Sequence, residues 1–122
     1  MLKYYTIAQE ESLLSDHPAF KLGACLVKKH RVLSSGHNLI TKTHPLIRKY
    51  DEFKTIHAEV HAIVKMKDKN AIDKATMYIY RAKRNGSLAL AKPCDCCRKI
   101  MKVFGIKHIH YTTEDGWQSE RL

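Results

Sequence analysis

The sequence predicts an α/β chain folded as a three-layer α/β/α sandwich, with a mixed sheet of about five strands that ends in a C-terminal β-hairpin. Three observations carry that expectation. Residues 76–80 alternate as a strand, a helical stripe follows Pro93, and residues 106–113 alternate again. A strand–helix–strand connection of this kind pairs its strands in parallel through a right-handed crossover. Residues 22–27 and 31–36 flank a Lys28-Lys29-His30 turn as an antiparallel hairpin, and Glu114-Asp115-Gly116 turns the chain back into an antiparallel fifth strand over 117–122. Parallel and antiparallel pairs then share one sheet.

Composition sets the scale. At 122 residues and 44% hydrophobic content, the chain is expected to form a single domain, 1–122, around one modest core. No apolar run near the N-terminus is long enough for a signal peptide or a membrane span, so a soluble, cytoplasmic protein without membrane attachment is expected. Of four cysteines, three crowd into positions 94–97, which suits a metal in a reducing compartment better than a disulfide framework. Twenty-two Lys and Arg against twelve Asp and Glu give a net charge of +10. That balance favours phosphate-bearing partners, nucleic acid included, without choosing between a nucleotide and a strand.

In chain order, residues 2–15 read as a helix that packs through Leu2, Tyr5, Ala8, Leu13 and Leu14 and breaks at Ser15-Asp16-His17-Pro18. Gly23 and Gly36 read as requirements of the backbone rather than of function, and Cys25 as a small buried hydrophobe. Residues 39–56 form a long connection of functional length, in which Arg48, Lys49, Tyr50 and Phe53 face a phosphate or a base, or simply solvent. Thr55 is a candidate N-cap for a helix with Ile56, Val60, Ile63 and Val64 at apolar spacing. After the strand at 76–80, residues 81–87 turn into 88–92, which delivers Pro93 and Cys94 and is therefore expected to line the pocket opposite Asn38. A second helix, 94–104, carries Ile100, Met101, Val103 and Phe104 and closes at Gly105.

Both helices begin with chemistry-bearing residues. His57, Cys94 and Cys97 supply an imidazole and two thiolates, a donor set suited to Zn²⁺. Three protein ligands leave a fourth position for water, and zinc lowers the pKa of such water to about 7. Glu59 lies roughly 200° around a helix from His57, so it is poorly placed to share the metal, but it can reach a water at the helix mouth and shuttle its proton. The rivals are a redox Cys pair or a closed structural site with His61 or Cys96 as fourth ligand. His61 otherwise reads as a core or pocket-lining residue. A metalloprotease is excluded, because Ala58 stands where that motif needs Glu.

The H-x-E…P-C-x-x-C arrangement formed by His57, Glu59, Pro93, Cys94 and Cys97 resembles the cytidine deaminase superfamily. The resemblance implies a fold of the cytidine deaminase type and zinc held by His57, Cys94 and Cys97. It implies Glu59 moving a proton to N3 and then to departing ammonia as water attacks C4 of cytosine. Substrate contacts are expected at Asn38, Ala58 and Pro93, with Asn38 where the family holds the sugar; a turn Asn tolerant of unusual backbone angles is the other reading. A homo-oligomer, dimer or tetramer, is expected. Superfamily members acting on deoxycytidylate or tRNA adenosine usually continue with a helix and a parallel fifth strand. Too few residues remain here, and the Asp-Gly turn resembles the free-cytidine branch, as does the run from Pro93 to Arg98. His57, where that branch commonly has Cys, and Gly36-His37-Asn38 with the long loop look more like the deoxycytidylate type. The expected substrate is cytosine in a free nucleoside or nucleotide. The alternatives are a polynucleotide deaminase acting on single-stranded DNA or tRNA, and a basic nucleic-acid-binding module with a structural zinc.

Overall fold

The central strands are buried on both faces almost without interruption, and that sets the layers. In the computed structural model, which describes residues 2–18, 20–39 and 56–122, five strands form one sheet: β1 (Lys21–Lys28), β2 (Arg31–His37), β3 (Thr76–Ala82), β4 (His108–Thr113) and β5 (Gly116–Arg121). Their order is β2-β1-β3-β4-β5. Only β3 and β4 run parallel; the other three pairs are antiparallel. The mixed sheet and its antiparallel last strand match the sequence expectation.

Ala24, Leu26, Met77 and Ile79 point to one face, where α2 (Ala58–Val64) and α3 (Asp95–Val103) add Val60, Ala62, Ile63, Ile100 and Met101. Cys25, Val27, Tyr78 and Tyr80 point to the other, where α1 (Leu2–Ser12) adds Tyr4 and Ala8. Period-two strands between two helical layers give the three-layer sandwich. Tyr5 of α1 also stacks on Trp117 of β5 at 4.0 Å between ring centroids. Cys25 is fully buried, and burial pushes its thiol up to about 11, as fits an inert core residue. No helix among the described residues is long and apolar enough to cross a membrane.

Several local expectations are corrected. The first helix ends at Ser12, and Leu13 and Leu14 are 72% and 64% exposed. Its buried positions are Tyr4, Ala8 and Ser12, one turn apart along the helix. The cause lies in β1: a Cβ on Gly23 would run into the Ala8 carbonyl oxygen and sit 2.6 Å from the Ser12 nitrogen. Only small residues fit such a contact. The hairpin turn puts Lys29 and His30 at φ 50° and 64°, left-handed positions without the usual Asn or Gly. A short 3-10 turn at Lys69–Ile72, capped by the Asp68 carboxylate, was not legible in the sequence. Thr55 and residues 41–53, with Arg48, Lys49, Tyr50 and Phe53, lie outside the described residues, as does the Leu2 side chain.

Gly36 repeats the logic of Gly23 on the opposite face. A Cβ there would meet the Ala62 nitrogen and lie 2.7 Å from the Ala58 carbonyl oxygen, so β2 and α2 touch backbone to backbone. Gly23→Ala and Gly36→Ala should therefore each destabilise the protein by about 3 kcal/mol in denaturant melts, the upper end of overpacking costs. Gly86→Ala, at φ 89° with nothing within 4 Å, should cost only about 1 kcal/mol, the left-handed strain alone.

Candidate active site

The two apolar stripes fold as helices, but the residues of interest stand at their very first positions. His57 is the N-cap of α2, extended at φ −81° and ψ 157°, and its carbonyl accepts the His61 N–H at 2.9 Å. Cys94 is the N-cap of α3, its Sγ accepting the Cys97 N–H at 3.4 Å and its carbonyl accepting the Arg98 N–H at 2.9 Å. The two caps meet. His57 Nδ1 lies 3.1 Å from Cys97 Sγ and 3.5 Å from Cys94 Sγ. One donor atom from each of the three lies within 4.8 Å of the others, a cluster that can hold a metal ion.

The donors fit zinc on their own chemistry. Without a cation, hydrogen bonding with Cys97 brings the Cys94 thiol down to about 4 against the opposing effect of burial, while the same bond and burial push Cys97 well up. The two thiols share a hydrogen bond at the positive end of α3, which favours one thiolate, with one proton, on the pair. A divalent cation takes that proton's place and leaves two thiolates and an imidazole, the ligands zinc prefers.

Glu59, in the first turn of α2, is 3% exposed, and its Oε1 has no hydrogen-bond partner among the described residues. Burial raises its pKa, against the lowering influence of His57. An unpaired buried carboxylate oxygen costs about 1–3 kcal/mol or more unless water or a ligand meets it. The expected helical angle of roughly 200° between His57 and Glu59 does not apply, because His57 is the extended cap. His57 and Glu59 instead line the same cavity of ≈ 280 Å³.

Asn38, Ala58, Pro93 and Cys94 line that cavity too, and Cys97 is buried beside it. Asn38 is held on three sides: Oδ1 accepts the Leu22 N–H at 2.9 Å, Nδ2 donates to the Phe20 carbonyl at 2.7 Å, and its own carbonyl accepts the Ser15 hydroxyl at 2.9 Å. It is not among the left-handed residues, so the turn-Asn reading is set aside. His61 is corrected as well. It does not line the cavity, and its Nδ1 accepts the His37 N–H at 3.0 Å on the far side of α2. The segment 88–92 lines the cavity through Leu90, Ala91 and Lys92, as the sequence suggests, whereas sequence reasoning missed Phe20 and Arg81 among the lining residues. The Arg81 guanidinium lies 4.5 Å from the Phe20 ring centroid and donates to the Leu90 carbonyl at 3.3 Å. Such contacts join residues far apart in the chain, so no local pattern announces them.

Residues 1–113 match the family described as the cytidine and deoxycytidylate deaminase zinc-binding region. No curated protein sequence matches the chain. Among solved structures, the chain resembles the dCMP deaminase of the cyanophage S-TIM5 at 23% identity, over 92% of this chain and 81% of that one, with a TM-score of 0.67. The same enzyme in complex with dCMP and dUMP gives 23% identity, coverage of 92% and 79%, and a TM-score of 0.66. Cytidine deaminase from Mycobacterium leprae is similar at 20% identity, over 96% and 90% of the two chains, with a TM-score of 0.58. At these identities the likeness is one of fold.

The cluster makes a direct prediction. Cys94→Ala and Cys97→Ala should each lose the one equivalent of zinc held by this cluster in metal analysis of the purified protein, with a lower melting temperature, because metal binding and folding are linked. Cys96→Ser, outside the cluster, should keep zinc at His57, Cys94 and Cys97. Full occupancy of that site in either alanine variant would remove the residue from the ligand set.

Proposed function

Because the chain belongs to the cytidine and deoxycytidylate deaminase family, and is accordingly a zinc-dependent hydrolytic deaminase, we propose that it converts cytosine to uracil in a free nucleoside or nucleotide. The observation that carries this reading is Glu59: a buried carboxylate with an unpaired oxygen, lining one cavity with the metal-binding residues. His57, Cys94 and Cys97 hold the zinc. When bound, zinc supplies a Lewis acid that brings the ionisation of water close to neutral pH.

The remaining work falls to side chains of this chain. Glu59, kept ready to accept a proton by burial, takes one from the attacking water and delivers it to ring N3. It then carries the next proton to the exocyclic nitrogen, which leaves as ammonia once C4 has gained its oxygen. Ala58 and Pro93 flank the ring, and small or rigid side chains there leave a flat slot for it. Asn38, locked by its own hydrogen bonds, offers the sugar a fixed amide rather than a mobile one. The cavity lies just below the usual range for small-molecule sites, about 300–1,000 Å³, so it takes one nucleoside, and a strand would enter it only through a single flipped base.

One observation favours a second reading. Phe20 and Leu90 are 49% and 54% exposed beside Arg81 at the cavity, and a flanking base of a single strand stacks well on such a surface. A turnover screen across cytidine, deoxycytidine, their phosphates and short single strands separates the two. Turnover of at least one monomer is expected; deamination of oligonucleotides with none of the monomers would reverse the choice. Glu59→Ala should keep zinc and fold while kcat drops at least 100-fold, the scale of a lost general acid–base. Near-parental kcat in that variant would take Glu59 out of the mechanism.

A further inference from the structure

A second cluster of metal-ligating side chains lies at the sheet edge, outside the catalytic cavity. β2 is the edge strand, with α1 on one face of the sheet and α2 on the other. Ser35 and His37 pair with Cys25 and Gly23, so their side chains face α1. There Glu11 Oε1 meets His37 Nδ1 at 2.9 Å, and Glu11 Oε2 accepts the Ser35 hydroxyl at 3.1 Å. From the other face, α2 brings His61 round the edge to His37, the two rings 4.6 Å apart between centroids and 80° from coplanar. The bare Cα of Gly36 lets α2 come that close. One donor atom each from Glu11, His37 and His61 lies within 4.8 Å of the others, as in the zinc-binding cluster.

We propose that Glu11, His37 and His61 bind a second divalent metal ion, which clips α1 and α2 together around β2; on binding, His61 releases the His37 N–H on this outer strand to water and turns its one imidazole lone pair to the ion. Two imidazoles and one carboxylate suit Zn²⁺, Co²⁺, Ni²⁺ or Fe²⁺ and leave further positions for water. Two ligands about 2.1 Å from one tetrahedral ion lie about 3.4 Å apart, so the Glu11–His37 pair needs only a slight opening. The Ser35 hydroxyl is the outer partner that orients the carboxylate. Burial opposes ionisation of Glu11, but hydrogen bonds from His37 and Ser35 and the charge of Lys65 outweigh it, so the ligand is already an anion. Lys65 donates to the Ser35 carbonyl at 2.8 Å. As the cation enters, His37 presents its Nδ1 lone pair to the metal and carries its proton on Nε2. None of the three lines the catalytic cavity, so the ion is structural and its loading separable from turnover.

The test titrates the metal-stripped full chain with Co²⁺ alone and follows absorbance and bound equivalents. The parent protein should saturate at two equivalents, one with the intense thiolate-to-metal charge transfer of Cys94 and Cys97, the other with weak visible bands only. Cys94→Ala should keep the equivalent without charge transfer, and Glu11→Gln or His37→Asn should keep only the one that has it. Should both of those variants fail to fold, the parent and Cys94→Ala decide between them. Saturation of the parent at one charge-transfer equivalent, with none bound by Cys94→Ala, would overturn the second site and leave the first standing. One equivalent without charge transfer in the parent would instead support the edge site and count against the cysteine cluster.

Discussion

The separation of 3.1 Å between His57 Nδ1 and Cys97 Sγ depends on two helices starting at one point in space. α3 is the crossover between parallel β3 and β4, so it begins at the end of the sheet where β3 finishes. α2 lies on the same face and begins at the same end, pressed against β2 through Gly36. Two helix N-termini aimed at one spot bring their positive ends together. Each is worth about 0.3–1 kcal/mol to a nearby anion, and up to about 2 when partly buried, so the spot needs negative charge. Cys94, Cys97 and Glu59 supply it, and a dication in their midst balances them. The same arrangement explains why Glu59 is tolerated while buried with an unpaired oxygen: its compensation comes from what the site binds.

The wall opposite α2 is held from the C-terminal side of the chain. Thr112 in β4 is fully buried; its hydroxyl donates to the Ala89 carbonyl at 2.8 Å, and its carbonyl accepts the Ala91 N–H at 2.9 Å. That fixes the segment leading to Pro93. β5 adds Glu120, which accepts the Arg98 guanidinium at 3.1 Å and the Tyr111 hydroxyl at 3.0 Å, and pairs with Lys92 at 3.2 Å. Lys92 and Arg98 flank the Cys94–Cys97 turn on either side. Each of these exposed ion pairs contributes little alone, at most about 1 kcal/mol, but together they tie both ends of the turn to the last strand. An antiparallel β5 therefore bears on the geometry of the metal ligands.

Much of this was legible in the sequence, because strands with period two and helices with period 3.6 announce themselves. The hairpin, the crossover and the closing Asp-Gly turn follow from local pattern and spacing, while the convergence of His57, Cys94 and Cys97 is legible through the resemblance that their motif carries. What was not legible depends on contacts between distant residues. Hydropathy selects Leu13 and Leu14 for the face of α1, whereas Gly23, in another element, selects Ala8 and Ser12. His57 reads as a helical residue until its extended backbone shows it to be the cap, which brings Glu59 to the same cavity. Arg81 reads as the first residue of a turn, and only the fold extends β3 through it and sets it over Phe20. His61 keeps helical register with His57 yet serves the opposite side, because β2 offers it an edge N–H that needs an acceptor.

Diffraction from crystals of the zinc-loaded protein, recorded at the zinc absorption edge, tests the central claim most directly. The account predicts an anomalous peak bonded by His57 Nδ1, Cys94 Sγ and Cys97 Sγ, with the fourth ligand a water within hydrogen-bonding distance of the Glu59 carboxylate. A peak at which Cys96 or the Glu59 carboxylate itself takes the fourth position would contradict it, since a closed or carboxylate-capped zinc leaves no place for the attacking water.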